Sequence, residues 1–206
     1  MEDLDVYLMN MKNDKTEPPQ PTNDENKKEA SLSNIRLDEN GNKIVDVYLV
    51  DFHYHNKFVY ELINIALQLT NKDTICFHLD IVYSEIFCIN GLVNLLENLP
   101  CKIKVDIRRT NTYSLFLIKI ADEIILNPIS SIEAKPVNIY SYGSYNKTIN
   151  LLNIEQYIIN DLYNTLYKRG FLNNEDMEII NQQHDYFKLF YGNDLQNRIN
   201  KLIANK

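Results

Sequence analysis

Two hydroxyls, Thr112 and Ser114, stand where a strand-like run turns into an apolar helix. Side-chain chemistry is most readily built there. Lys102 to Ile107 is rich in β-formers, and Arg108 to Thr112 is a polar break. Leu115, Phe116, Ile118 and Ala121 mark a short buried helix, after which Glu123 to Leu126 reads as strand and runs into Asn127-Pro128. A turn feeding a helix start directs backbone N–H groups outward, and enzymes often place a nucleophile in such a turn. Two residues of separation on a helix rotate a side chain by about 200°. Ser114 therefore points away from any site that Thr112 serves.

The other chemistry-bearing residues are scattered. His53 and His55 are two apart, so on a strand they share one face, as two metal ligands would. A zinc site needs a third and usually a fourth ligand. None is close in sequence, so neither metal nor cofactor is expected. His78 sits in the apolar run 74–80 and reads as a satisfied core histidine, while His184 and Asp185 read as a helix-end pair. No GxGxxG or GxxxxGK[ST] pattern supports nucleotide binding. Tyr140, Tyr142 and Tyr145 form a cluster that suits an interface or an amphipathic strand edge.

Composition narrows the partners. The 206 residues are 45% hydrophobic and 24% charged with a formal net charge of −7, which is globular and lacks the basic face that nucleic acid requires. No apolar run reaches the roughly 20 residues that span a bilayer, and the acidic N-terminus has no secretory h-region. Cys76, Cys88 and Cys101 lie in apolar segments without CxxC spacing, which favours reduced core thiols.

The elements that must position these residues alternate in type. Residues 1–34 are expected to be an acidic, largely disordered tail: Lys12 to Ser33 is nearly all polar and carries Pro18, Pro19 and Pro21. Leu4, Val6, Tyr7, Leu8 and Met9 could form a docking end within it. From residue 35 to 206 one domain is expected. Asn40-Gly41 signals a hairpin, Lys43–Val50 a strand, Phe58–Thr70 a helix, Thr74–Asp80 a buried strand, and Ile86–Leu99 a helix stopped by Pro100. Val137–Tyr145 reads as irregular strand and loop. Thr148–Lys168 is the longest helix, with Gly170 at its C′ position. Helices follow from Asn174 to about Gln183 and from Asp194 to Ile203. Strands joined by helices imply an α/β fold with mostly parallel pairing.

This order resembles the proteolytic subunit of Clp protease, in the ClpP/crotonase-like superfamily. Ala121-Asp-Glu-Ile-Ile-Leu-Asn-Pro128 carries the sharpest match, to a family strand reading Ala-Gly-Asp-Glu-Ile-Ile-Met-Asn-Pro. Asp46–Val50 with the helix after it resembles the family's first strand and helix. Thr74–Asp80 stands where the family strand ends in Asn-Ser-Pro-Gly-Gly, and Ile86–Leu99 resembles the helix that follows. Phe171–Asp176, His184–Phe187 and Asp194–Arg198 resemble the C-terminal segment of phage-type members. The resemblance spans about residues 44–203. It implies a spiral of ββα units with a C-terminal helical segment, rings built through that core, and a phage- or virus-encoded protein of the host cytoplasm or virion.

The same resemblance places a degenerate active site. The nucleophile position falls on Thr112, the histidine position on Lys135 and the aspartate position on Asn181. The Pro-Gly-Gly falls on Val82, Tyr83 and Ser84, without the glycines that let substrate approach the backbone. Hydrolysis needs an activated nucleophile, an oriented base and oxyanion donors. The expectation is a catalytically inactive assembly, structural or regulatory subunit, including one that inhibits a protease, with no metal and no cofactor. Its expected partners are proteins: its own copies, a related protease or a capsid component. The alternative is a peptidase using Thr112 or Ser114 with Lys135. An acyl-binding crotonase-like protein ranks third.

Overall fold

A computed structural model of the chain describes residues 34–52, 56–82, 86–134, 145–182 and 188–206. The expectations for the N-terminal tail, His53, His55, Tyr83, Ser84, Lys135, Tyr140, Tyr142, His184 and Asp185 lie outside the described residues. So do those for the side chains of Cys88, Tyr145 and Asn181.

The chain begins as a hairpin of β1 (Asn34–Leu37) and β2 (Lys43–Phe52), paired antiparallel. Asn40-Gly41 makes the turn as the sequence signals. Asp38 Oδ1 accepts the N–H groups of Asn40 and Asn42, each at 2.8 Å, and Gly41 takes a φ of +79° that a side chain would resist. Then come α1 (Asn56–Ala66), β3 (Thr74–Val82), α2 (Ile86–Leu96) and β4 (Lys102–Asn111). A 3₁₀ turn (Thr112–Ser114) leads into α3 (Leu115–Ile120), and β5 (Glu123–Ala134) follows. The chain closes with α4 (Tyr145–Lys168), α5 (Asn174–Gln182), β6 (Lys188–Tyr191) and α6 (Gly192–Ala204).

The fold is α/β, with one six-stranded mixed sheet in the order β1-β2-β3-β4-β5-β6. Strands β2 to β5 are parallel, and the two edge strands are antiparallel. Parallel strands laid down in chain order, each joined by a right-handed crossover, put every crossover on one side. Burial follows that rule. Val45, Val47 and Leu49, Ile75, Phe77 and Leu79, and Ile103, Val105 and Ile107 are buried. They meet Leu62 and Ala66 of α1, Leu92 and Leu96 of α2, α3, and Leu162 and Leu166 of α4 in one core. Burying each such side chain contributes about 1.5–3 kcal/mol. The exposed pairs Lys102–Glu123 and Lys119–Asp161 contribute about 0–1 kcal/mol each, so the apolar face decides the fold.

Two strands run further than the sequence suggests. The polar stretch Arg108–Thr112 is no break as far as Asn111: Arg109, Thr110 and Asn111 pair with Ser131, Ile132 and Glu133. A bulge lets them do so. The register jumps from Ile107↔Leu126 to Arg109↔Ser131, which leaves 127–130 outside the ladder. There Pro128 has no donor to supply. The bulge is tied locally, because Asn127 N donates to Ser130 Oγ at 2.8 Å and Ile129 N to Asn127 Oδ1 at 3.1 Å.

Strand β6 is the element that the sequence does not announce. It is four residues long and buries only Phe190, with Leu189 and Tyr191 exposed, so its apolar alternation is too short to read. Phe190 meets Phe171 edge-on at 5.3 Å, and the Arg198 guanidinium lies 4.6 Å from its ring centroid. Beneath them the fully buried Asp176 receives Arg198 Nη1 at 2.6 Å and Asn173 N at 2.9 Å, with Lys188 Nζ at 3.6 Å from its other oxygen. Replacing one member of a buried pair leaves the other charge desolvated. Asp176→Ala should therefore lower the unfolding free energy by about 3 kcal/mol, read from urea melts.

Two further carboxylates tie strand starts to neighbouring turns. Asp73 accepts the N–H groups of Thr70 and Lys43, each at 2.7 Å, and these bonds hold its carboxyl below the ordinary range. Burial pushes Asp122 upward, but the Ile103 N–H at 2.8 Å and Lys206 more than offset that and hold it low as well. A depressed folded-state pKa gives stability that is complete above the unfolded value of about 3.9 and lost as pH falls through the folded value. The melting temperature should fall as the pH drops below about 4. Asp73→Asn, which cannot titrate, should make that fall shallower.

Candidate functional site

Strand β4 delivers the nucleophile turn, and the turn is closed. Asn111 caps it, its side-chain oxygen accepting Tyr113 N at 3.2 Å, while its buried Nδ2 finds no partner among the described residues. Thr112 is 1% exposed and Ser114 0%. Tyr163, itself buried on α4, hydrogen-bonds the Thr112 side chain, and burial pushes the phenol up to about 12. The Ser114 hydroxyl contacts the Thr110 hydroxyl, also buried. Each of these oxygens is spent on a neighbour inside the core. His78, the one histidine among the described residues, is engaged instead by Asp46 and Asp106, and neither Lys135 nor the Asn181 side chain belongs to the described set.

A second constellation lies on the sheet face opposite the core helices, where most of the side chains are polar. Registered across the strands, one row reads Asn34, Asp46, Cys76, Lys104, Glu123, and the next reads Tyr48, His78, Asp106, Ile125. His78 sits between two carboxylates, Nε2 3.0 Å from Asp46 Oδ1 and Nδ1 3.0 Å from Asp106 Oδ2. Tyr48 stacks on the imidazole at 4.5 Å and fixes its plane. Arg36 Nε donates to the other Asp46 oxygen at 2.6 Å. Burial pushes the Asp46 carboxyl up, and the bonds from Arg36 and His78 more than offset this and leave it below the usual range. Burial, and then Asp46 and Asp106, push the Cys76 thiol up to about 11.

Satisfied as the sequence suggests, His78 is nonetheless no core residue. Its side chain is 25% exposed and faces the open side. The run 74–80 looks uniformly buried because Ile75, Phe77 and Leu79 are buried. Its alternate positions Cys76, His78 and Asp80 carry the signal of a second, polar face. Asp46, Cys76 and Asp106 carry no joint signal in the sequence. They are separated by about thirty residues in sequence and are brought together only by strand register.

A cleft of about 680 Å³ near Lys119, Arg169 and Lys206 is a third concavity. It opens beside Cys101 and Lys102, at the start of β4, whereas ligands in open α/β sheets gather at the carboxyl ends of strands. Its cations are already engaged. Arg169 donates to the Lys119 and Leu202 carbonyls at 2.6 and 2.8 Å, and Lys206 binds Asp122.

No family model matches the chain, and no curated protein matches it.

If the Thr112 hydroxyl is structural, Thr112→Val and Tyr163→Phe should each reduce stability by about 1 kcal/mol. The double variant should lose less than the sum, a coupling visible in a denaturant double-mutant cycle.

Proposed function

We propose that the chain is a catalytically inactive Clp-protease-like protein that acts by binding other proteins. The burial of Thr112 and Ser114 carries this reading. A nucleophile must reach a carbonyl carbon with a base at hand and oxyanion donors opposite it. Here the two hydroxyls that the resemblance offers are closed off from solvent by Tyr163 and Thr110. Opening either site would break buried hydrogen bonds.

Two further observations bear on the Clp-like reading of this α/β fold. Parallel strands β2 to β5 follow one another in chain order with one helix between each pair, a single strand per helix where the resemblance implies ββα units. The Ala121–Pro128 run, which carries the sharpest part of the resemblance, forms the first half of β5 alongside Lys104–Ile107 of β4 and follows directly on the helix after the turn. The proposed work is assembly or regulation: the chain joins its own copies, a related active protease or a capsid component, and scaffolds or restrains it. Phage or viral origin fits the C-terminal likeness.

The test is intact-protein mass after exposure to a broad fluorophosphonate, with an active Clp-type peptidase labelled in parallel. An unmodified chain that still co-elutes with its own copies or with such a peptidase is the expected outcome. An adduct on Thr112 or Ser114, abolished by Thr112→Ala or Ser114→Ala, would replace this reading with that of a working peptidase.

A further inference from the structure

We propose that Asp46, Cys76 and His78 form a binding site for one zinc-like divalent cation on the open face of the sheet. None of the three belongs to the nucleophile turn, so this site and the pseudo-protease reading stand or fall separately.

The sheet itself assembles the ligands. Asp46 on β2 and Cys76 on β3 are register partners, and His78 follows two residues along β3, so all three side chains leave the same face. Their ligand atoms, one carboxylate oxygen, one sulfur and one imidazole nitrogen, lie within 4.8 Å of one another. Two ligand atoms bound to a tetrahedral zinc at about 2.0 Å stand about 3.3 Å apart. Asp46 Oδ1 and His78 Nε2 are already 3.0 Å apart. Side-chain adjustment, rather than strand movement, closes the set on an ion.

The donor chemistry selects the metal class. Oxygen, nitrogen and sulfur together suit zinc, whereas calcium and magnesium take oxygen ligands. A carboxylate, a thiolate and a neutral imidazole carry two negative charges, which balance a divalent ion. The ion takes the place of the hydrogen between Asp46 and His78 and of the Cys76 thiol hydrogen, and each hydrogen it displaces leaves to water as a proton. The surroundings are compatible. Arg36 binds Asp46 Oδ2 closely, Nε at 2.6 Å, and reaches Oδ1 only with Nη2 at 3.4 Å, a long bond that an ion on Oδ1 would displace. Lys104, the cross-strand neighbour of Cys76, is drawn away by Glu123 at 2.6 Å. With Nε2 on the metal, Nδ1–H donates to Asp106 Oδ2, now at 3.0 Å. That is the carboxylate–histidine–metal arrangement that orients ligating imidazoles. Three protein ligands leave a fourth position for water or for a partner's side chain.

The experiment uses the full chain, reduced and stripped with chelator, titrated with zinc against a chromophoric competitor and separately with cobalt(II). One ion per chain is expected, and the cobalt form should show the charge-transfer absorption of a thiolate ligand. Cys76→Ser should remove that absorption, and Cys101→Ser should keep it, since Cys101 is buried away from the set. His78→Gln should weaken zinc binding at least tenfold. Asp106→Asn should weaken it by roughly 10–100-fold, the usual effect of losing an outer carboxylate. Circular dichroism of each variant checks that the fold is retained. Absence of a thiolate band in the unmodified chain, which needs no variant to fold, would overturn the proposal. A band that survives Cys76→Ser would do the same.

Discussion

The handedness of the crossovers governs this molecule. Once β2, β3, β4 and β5 are parallel and adjacent in chain order, right-handed connections must all lie on one side of the sheet. That side becomes the core, where Val47, Phe77 and Val105 meet the helices. The opposite side receives no crossover. Parallel sheets are ordinarily covered on both faces; among the described residues no helix covers this second face, and its side chains make it compatible with water. They do so with a lattice of charge. Arg36 pairs with Asp46, His78 with Asp46 and Asp106, and Lys102 and Lys104 with Glu123. The pairs to Glu123 are partly exposed and small in stability terms, whereas breaking those to the buried Asp46 would leave a desolvated charge. Their effect is on order, because they hold Asp46, Cys76 and His78 in fixed relation.

The bulge at 127–130 has a consequence at a distance. By absorbing Asn127-Pro128 it lets β4 and β5 resume pairing, and β4 continues to Asn111 before the chain turns. The turn is thereby carried under α4, where Tyr163 meets Thr112 and Thr110 meets Ser114. A shorter β4 would have left the same hydroxyls nearer the rim. Their chemistry is thus decided by strand length and by one aromatic residue about fifty positions later, rather than by their own identity.

This explains which parts of the architecture the sequence discloses. Helices α1, α2, α4 and α6 each carry apolar residues at helical spacing, and Asn40-Gly41 fixes the hairpin, so these elements are legible locally. Arg108–Asn111 is not, because its strand character depends on a partner beyond a bulge. Strand β6 is not, because four residues with one buried phenylalanine carry no periodicity. The polar face lies between these cases. The alternation Cys76, His78, Asp80 was present in the sequence, but the apolar residues between them dominate a window average. The carboxylates on either side of His78 belong to other strands and are placed only by register.

Two polar assemblies therefore sit in one sheet with opposite fates. At the end of β4 the side chains with hydrolytic potential are turned inward, where every hydrogen bond they make holds the fold together. On the open face the titratable side chains are turned outward, held by Arg36, Tyr48 and Asp106 with a quarter of the histidine accessible. Satisfying a buried hydroxyl removes it from chemistry. Restraining a partly exposed histidine between carboxylates does the reverse, because the restraint lowers the entropy lost when a ligand arrives. Among the described residues, the titratable groups best placed to engage an outside group are those on the sheet face opposite the helices.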